Sequence, residues 1–580
     1  MAPDAARSHP RARVRNDRAM TASTTEPAQT TPRALADRYV ARLAELNPIV
    51  NTSLGLTPHD DRLPDFSPDG FAARTQLAAD TLAELDRMDP GTWDETERRC
   101  AVLLRDRLGV IVESHEAGED LREIRNIFGP PQAVRQVFSL MPASTDEDWA
   151  TIARRMAKVP EAYSSWQASL EEGRARGLFA APRQARALAD LIDQWVQTRW
   201  FHDFTAAGPE RLRGELDRAA DRATAAAEQL AAYLTQTYAP AAQDTPDAVG
   251  EERYRLSARR VMGADVDPEE AYAWGWAEYR QINEEMKALA ERILPGSTPV
   301  ECMRHLDEHG TVVHGVENVR VRLQEMMDEA IAELDGVHFD IADPIKKVEA
   351  MIAPAGSAAA PYYTRPSMDF ARPGRTWLPT LGRETFPMYD LVSTWYHEGV
   401  PGHHLQLAQW VHVAPDLSTF QTSVGSSSGT TEGWALYAER LMDELGYFDD
   451  ETRMGYLDAQ IMRAIRVVID LGMHLRLPIP QDSPIAPGQT WTPELAEQFF
   501  AAHSGRPADF IASEIVRYLG WPGQAISYKL GERTWLAGRE EAEAAHAKRG
   551  EEFDLKAWHM KALSLGALGL DDLEAELARL

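Results

Sequence analysis

From about residue 33 onward the chain is patterned for helix. Apolar residues recur at three- and four-residue spacing through Pro32–Leu46, Phe71–Met88, Glu210–Tyr238, Pro268–Ile293 and Glu317–Leu334. All five stretches are rich in Ala, Leu, Glu and Arg, as expected of helices with one buried face. Proline and glycine punctuate the pattern at Gly129-Pro130-Pro131, Pro182 and Pro295-Gly296. Strand-like runs are few: Val337–Ala342, Glu349–Ile352, Tyr362–Thr364 and Thr376–Thr380, with a Gly/Ala/Ser-rich loop over 354–360 between them. Helical patterning resumes near Pro387 and continues, with breaks, to the C-terminus. The prediction is a mainly α fold. Residues 33–580 form one unit of two lobes, about 33–335 and about 336–580, with a small β-sheet beside the cleft between them. Residues 1–32 lack apolar periodicity and read as a tail, or as an extension upstream of Met20.

Composition narrows the chemistry. The 580 residues carry 61 basic and 90 acidic side chains, a formal charge of −29. That balance argues against nucleic acid or an anionic membrane as partner, since both need clustered Lys and Arg. No run of eighteen apolar residues predicts a membrane span, and the N-terminal stretch lacks the apolar segment of a secretory signal. The two cysteines, Cys100 and Cys302, lie far apart in sequence, so neither a disulfide framework nor a thiolate metal cluster is expected. A reducing, cytoplasmic setting follows, and any metal must be held by histidine and carboxylate.

The richest chemistry lies in His397-Glu398-Gly399-Val400-Pro401-Gly402-His403-His404. Hydrolytic zinc takes three protein ligands and keeps one position for water. A helix supplies two of them most simply as histidines four apart, with a glutamate beside the first as base. Here the spacing fails for a regular helix. Six residues on, His403 has turned through roughly 600°, about 120° away from His397. His404, seven on, returns to the same face but about 10.5 Å along the axis. Pro401 breaks the hydrogen-bond ladder and Gly402 tolerates unusual backbone, so a bulge is expected between Glu398 and His403. If it absorbs two residues, His397 and His403 converge as ligands with Glu398 as general base. His404 then becomes a supporting or substrate contact.

A third ligand is expected from Thr430-Thr431-Glu432-Gly433-Trp434-Ala435-Leu436-Tyr437-Ala438-Glu439. Glu432 follows a Gly/Ser-rich run and opens a helix. Glu439, seven residues on, shares its face and is placed to orient a ligand histidine. His474 follows Asp470 by four, so the two share a face and form a candidate acid–base or binding pair. Arg466, on the same pattern, is a candidate to bind a substrate carboxylate bidentately, and His559 is a further binding candidate.

These motifs carry a resemblance. The chain resembles the bacterial family catalogued as domain of unknown function 885, itself similar to gluzincin metallopeptidases and distantly to thimet-type oligopeptidases. The likeness runs from Leu54-Gly55-Leu56 and Asp60-Asp61-Arg62-Leu63 through the two motifs above. It continues in Arg466-to-His474, Trp521-Pro522-Gly523-Gln524-Ala525-Ile526-Ser527-Tyr528-Lys529-Leu530-Gly531 and Phe553-to-His559. The chain departs from the family at Gly569, where a proline is expected, and at Leu475-Arg476-Leu477-Pro478, where a more aromatic segment is usual. The resemblance implies a transition-state role for Tyr528. It also implies a substrate role for Arg372, just before a strand expected at a sheet edge, where an extended peptide can pair. The expected protein is a zinc-dependent hydrolase of peptide or amide bonds, with another divalent metal as an alternative ion. Its substrate is a peptide or small amide, and it is a monomer or homodimer. The alternative is a metal-dependent enzyme acting on a specialised non-peptide small molecule.

Overall fold

The computed structural model describes residues 30–57, 59–353 and 360–580. Most of the predicted tail and of the 354–360 loop therefore lies outside the described residues. The fold is mainly α with two small sheets. The predicted helices form with small shifts at their ends: Pro32–Leu46, Pro68–Leu85, Arg213–Tyr233, Pro268–Ile293 and Val316–Leu334. Local chemistry sets several of these starts. Thr31 and Ser67 cap the first two with side-chain oxygens, and Asp267 accepts from Glu269 N and Glu270 N at the fourth. Each has proline in its first turn, where no backbone donor is needed.

Of the predicted strands, three form a mixed sheet: β2 (Val348–Ile352), β3 (Tyr362–Thr364) and β4 (Gly374–Leu378). The order is β2-β4-β3, with β2 parallel and β3 antiparallel to β4. This corrects the expectation for the strand after Arg372. β4 is hydrogen-bonded on both sides, so no peptide can add to it, and β3 lies at the edge. A second, unpredicted sheet pairs β1 (Val312–His314) with β5 (Thr385–Pro387). The run Val337–Ala342 is not a strand. It turns back on the end of the preceding helix, with Phe339 N and His338 N donating to Leu334 O and Ile341 N to the Asp335 carboxylate. Phe339 is fully buried there.

Three buried apolar clusters hold the molecule. One lies within residues 66–242. Another joins 276–306 to 389 and 454–525. The largest runs from Leu35 to Leu577 and unites both predicted lobes. The helix Asp450–Leu475 is buried on every face from Met454 to His474, as befits a central helix. Beside it, Ser428–Glu444 packs against Ser527–Arg549. A side chain at Gly433 would put its Cβ 2.5 Å from Gly531 Cα, so the two backbones approach as only glycine permits. That approach sets Glu432 and Tyr528 in neighbouring walls of one site. Among the described residues no helix is long and apolar enough to cross a membrane.

Candidate metal centre

The first motif helix, Leu391–Glu398, ends at Glu398, and a second begins at His403 and runs to His412. The expected bulge is a complete break of four residues. Gly402 N reaches back to Tyr396 O at 3.0 Å, and His404 N bonds Gly399 O at 3.0 Å. The Val400–Pro401 peptide is cis. The indole of Trp434 donates to Pro401 O and Gly402 O, satisfying carbonyls that the broken ladder exposes. Gly402 is required for space: a Cβ there would lie 2.0 Å from His397 O. The break removes the excess spacing, and the rings of His397 and His403 stand 4.7 Å apart at 82°.

Glu432, in the first turns of Ser428–Glu444, completes the set. One donor atom from each of His397, His403 and Glu432 lies within 4.8 Å of the others. Glu432 Oε2 is 3.3 Å from His397 Nε2 and 3.5 Å from His403 Nε2. Two imidazoles and a carboxylate, converging with a fourth direction left over, fit zinc or another borderline divalent ion. Glu398 is 7% exposed, and its Oε2 has no hydrogen-bond partner among the described residues. A buried carboxylate oxygen with nothing to accept is costly, which marks it as aimed at something the protein alone does not supply.

The electrostatics agree. Burial raises the Glu398 carboxyl above its ordinary value, partly countered by His403 and His397. For Glu432 burial pushes the same way, but the two histidines outweigh it and hold the carboxyl well below the usual range. Burial opposes charge on His397, yet Glu432 and Glu439 raise it to about 9. As predicted, Glu439 stands behind His397: its Oε1 accepts from Nδ1 at 2.7 Å. Ser393 donates to Oε2 of the same carboxylate at 2.5 Å, and Arg463 lies 3.5 Å from Oε1.

Tyr528 also comes to the site. Its ring covers the Arg466 guanidinium at 5.0 Å, its hydroxyl has no hydrogen-bond partner among the described residues, and the charge of Glu432 adds to burial in raising its pKa.

Other predicted residues lie elsewhere or are already engaged. Arg466 is committed to Glu514 and the Tyr518 hydroxyl, both at 2.8 Å, so it supports Tyr528 and does not present a free fork to substrate. His474 is fully buried, bonded to Tyr518 O and Val249 N. It lies eleven residues beyond Arg463 on one helix, about 16 Å along the axis, so it is no acid or base of this site. Asp470 accepts from the Tyr254 hydroxyl at 2.7 Å and from Gly523 N at 3.0 Å, a packing role. His559 is 1% exposed, stacked on Phe339 and bonded to the Tyr437 hydroxyl, which rules out a substrate contact.

His404 is fully buried. Nε2 donates to Ile345 O at 2.6 Å, so Nδ1 accepts from the Tyr363 hydroxyl at 2.9 Å. It fastens the motif to the sheet and touches neither metal site nor substrate space. Arg372 is half-buried and has no carboxylate in ion-pair contact among the described residues, although the charge of Glu349 acts on it.

Sequence reasoning passed over Ser393, Trp434 and Tyr363. Ser393 was legible in part: it stands four before His397 and so shares its helical face. Trp434 and Tyr363 act only through contacts distant in sequence, which no local pattern encodes.

Comparison with known proteins agrees with this fold. A structure described as "the putative lipoprotein from Colwellia psychrerythraea" superposes with a TM-score of 0.79 at 20% identity, covering 94% of this chain and 98% of that one. A "putative lipoprotein of unknown function from Shewanella oneidensis" gives 0.71 at 16% identity, covering 94% and 99%. No curated protein matches the chain. The family model of the bacterial proteins of unknown function DUF885 matches residues 48–577, and the chain belongs to that family.

Proposed function

We propose that this protein is a zinc-dependent hydrolase of peptide or amide bonds, built on a gluzincin-like site. One observation carries the reading: three metal-type donors converge within 4.8 Å beside a buried carboxylate whose Oε2 has no partner. His397, His403 and Glu432 would hold the ion. When bound, zinc supplies Lewis acidity toward the scissile carbonyl and a water acidified toward neutrality. Glu398, with a free oxygen and a raised pKa, accepts the proton of the attacking water and returns it to the leaving amine. Tyr528 offers its hydroxyl to the carbonyl oxygen as charge builds there, with Arg466 beneath its ring. Glu439 keeps Nδ1 of His397 protonated, which leaves Nε2 as the ligand atom.

The test is metal analysis combined with Glu398→Gln. The variant should retain one zinc per chain and lose at least a hundredfold in turnover on short peptides, the range for a positioned general base. Undiminished hydrolysis in the variant, or a wild type that binds no divalent metal, would end the proposal. Location is proposed as cytoplasmic, on two buried unpaired thiols. Recovery with the membrane fraction would overturn that part.

A further inference from the structure

Arg365 and Arg372 bracket the connection from β3 to β4, and both are half-buried. Most arginines in this chain meet an acid. Their neighbour Arg375, for example, pairs with Glu349 at 2.8 Å. Among the described residues neither Arg365 nor Arg372 has a carboxylate within ion-pair reach. Arg365 Nη1 donates to Thr422 O at 2.6 Å, and Arg372 Nη1 has only Pro373 O at 3.4 Å. Both guanidinium pKa values are drawn down, by burial first, with like charge adding to it: Arg372 acts on Arg365, and Arg375 on Arg372. A chain of net charge −29 has ample acid to neutralise such a pair. Holding two cations partly out of water with no carboxylate in ion-pair contact, the charge of Glu349 acting on Arg372 only from beyond that reach, is unfavourable unless an anion completes the set.

The pair is built in. Ser367 Oγ accepts from Arg372 N at 2.9 Å, and Asp369 closes the same turn through Ser367 and Ala371 N. Both arginines act on Tyr363, whose hydroxyl is bonded to His404, next in the chain to ligand His403. Thr422, which anchors Arg365, precedes the helix that carries Glu432. Tyr363, at the start of the same connection, thus reaches the residue beside His403, and Arg365 reaches the short helix that precedes the one carrying Glu432.

We propose that Arg365 and Arg372 clamp a carboxylate of the substrate and orient it toward the metal centre, which makes the enzyme selective for peptides bearing a negative charge near the scissile bond. This rests on the hydrolase reading above. A free C-terminal carboxylate and an acidic side chain share the required chemistry, and planar guanidinium donors suit either bidentately.

The zinc-loaded full chain is assayed on one short peptide in three forms: free C-terminal acid, C-terminal amide, and amide with a glutamate at the last position. The acid should exceed the plain amide at least tenfold in kcat/KM. That ratio should collapse toward one in Arg365→Ala and Arg372→Ala and partly recover in Arg372→Lys, with zinc content unchanged throughout. Rescue by the glutamate amide assigns the clamp to side chains, and no rescue assigns it to the terminus. Equal rates for acid and plain amide in the wild type, with no rescue by glutamate, overturn it. If no form is cleaved, calorimetric binding of the three forms to zinc-loaded Glu398→Gln decides separately. Tighter binding of a carboxylate-bearing form keeps the clamp while the peptidase reading falls, and equal binding of all three removes the clamp.

Discussion

Glu439 Oε1 lies 2.7 Å from His397 Nδ1, in a pocket from which the glutamate is wholly withdrawn from solvent. A buried carboxylate accepting from one imidazole nitrogen fixes the ring's tautomer and orientation and raises the basicity of the other nitrogen. Ser393 and Arg463 hold the carboxylate in turn, so the histidine is positioned through two layers of contact. Glu439→Gln keeps an acceptor but removes the charge. Zinc affinity should weaken by about 10- to 100-fold. Competition with a chromogenic chelator measures this, and an unchanged affinity would show that the pair is structural only.

The two adjacent histidines should separate cleanly. His403→Ala removes a donor of the converging set and should abolish stoichiometric zinc binding. His404→Ala should keep one zinc per chain and lower thermal stability, because Ile345 O and the Tyr363 hydroxyl lose a partner inside the protein. Each unsatisfied buried group costs about 1–3 kcal/mol. Metal content by mass spectrometry and unfolding by circular dichroism give the two readouts. Zinc loss in His404→Ala would reassign the ligands.

Gly402→Ala tests the helix break. The new methyl would fall 2.0 Å from His397 O and 2.4 Å from Tyr396 O, both backbone atoms with little freedom to move. The break must open, which displaces His403 relative to His397. The expected result is a loss of several degrees in Tm together with weakened zinc binding. A variant with wild-type Tm and wild-type affinity would mean that the loop is softer than its contacts indicate.

Acid should expose the buried neutral histidines. Burial lowers His474 to about 4 and His559 to about 3, against roughly 6.5 in an unfolded chain. With folded pKa values depressed, the unfolded state takes up protons first as pH falls. The stability these groups confer is therefore intact above about 6.5 and is lost as pH falls toward 4 and below. Asp470, raised to about 7 by burial, works in the opposite sense and gains as pH falls from 7. In metal-free protein, His559→Gln should flatten the decline of Tm between pH 6.5 and 4 relative to wild type. Parallel curves for the two proteins would refute a neutral buried His559.

The helical class, the extents of most helices and the identity of the metal-type residues are written locally. Apolar spacing, capping side chains and prolines at first turns act within a few residues, and so they are legible in the sequence. The pairing of Glu439 with His397 was also within reach, because Glu439 stands seven residues after Glu432 and so shares its face of one helix. Other relationships depend on contacts between distant segments. The place of β4 inside its sheet is decided by β2 and β3 together, and the turn at Phe339 by the helix end it folds onto. His474, His559 and Arg466 carry the right chemistry for a site, yet partners distant in sequence engage them. The break after Glu398 was foreseeable from Pro401 and Gly402. That it brings His403 back beside His397 depends on Trp434, which lies on another helix and bonds the carbonyls of the break.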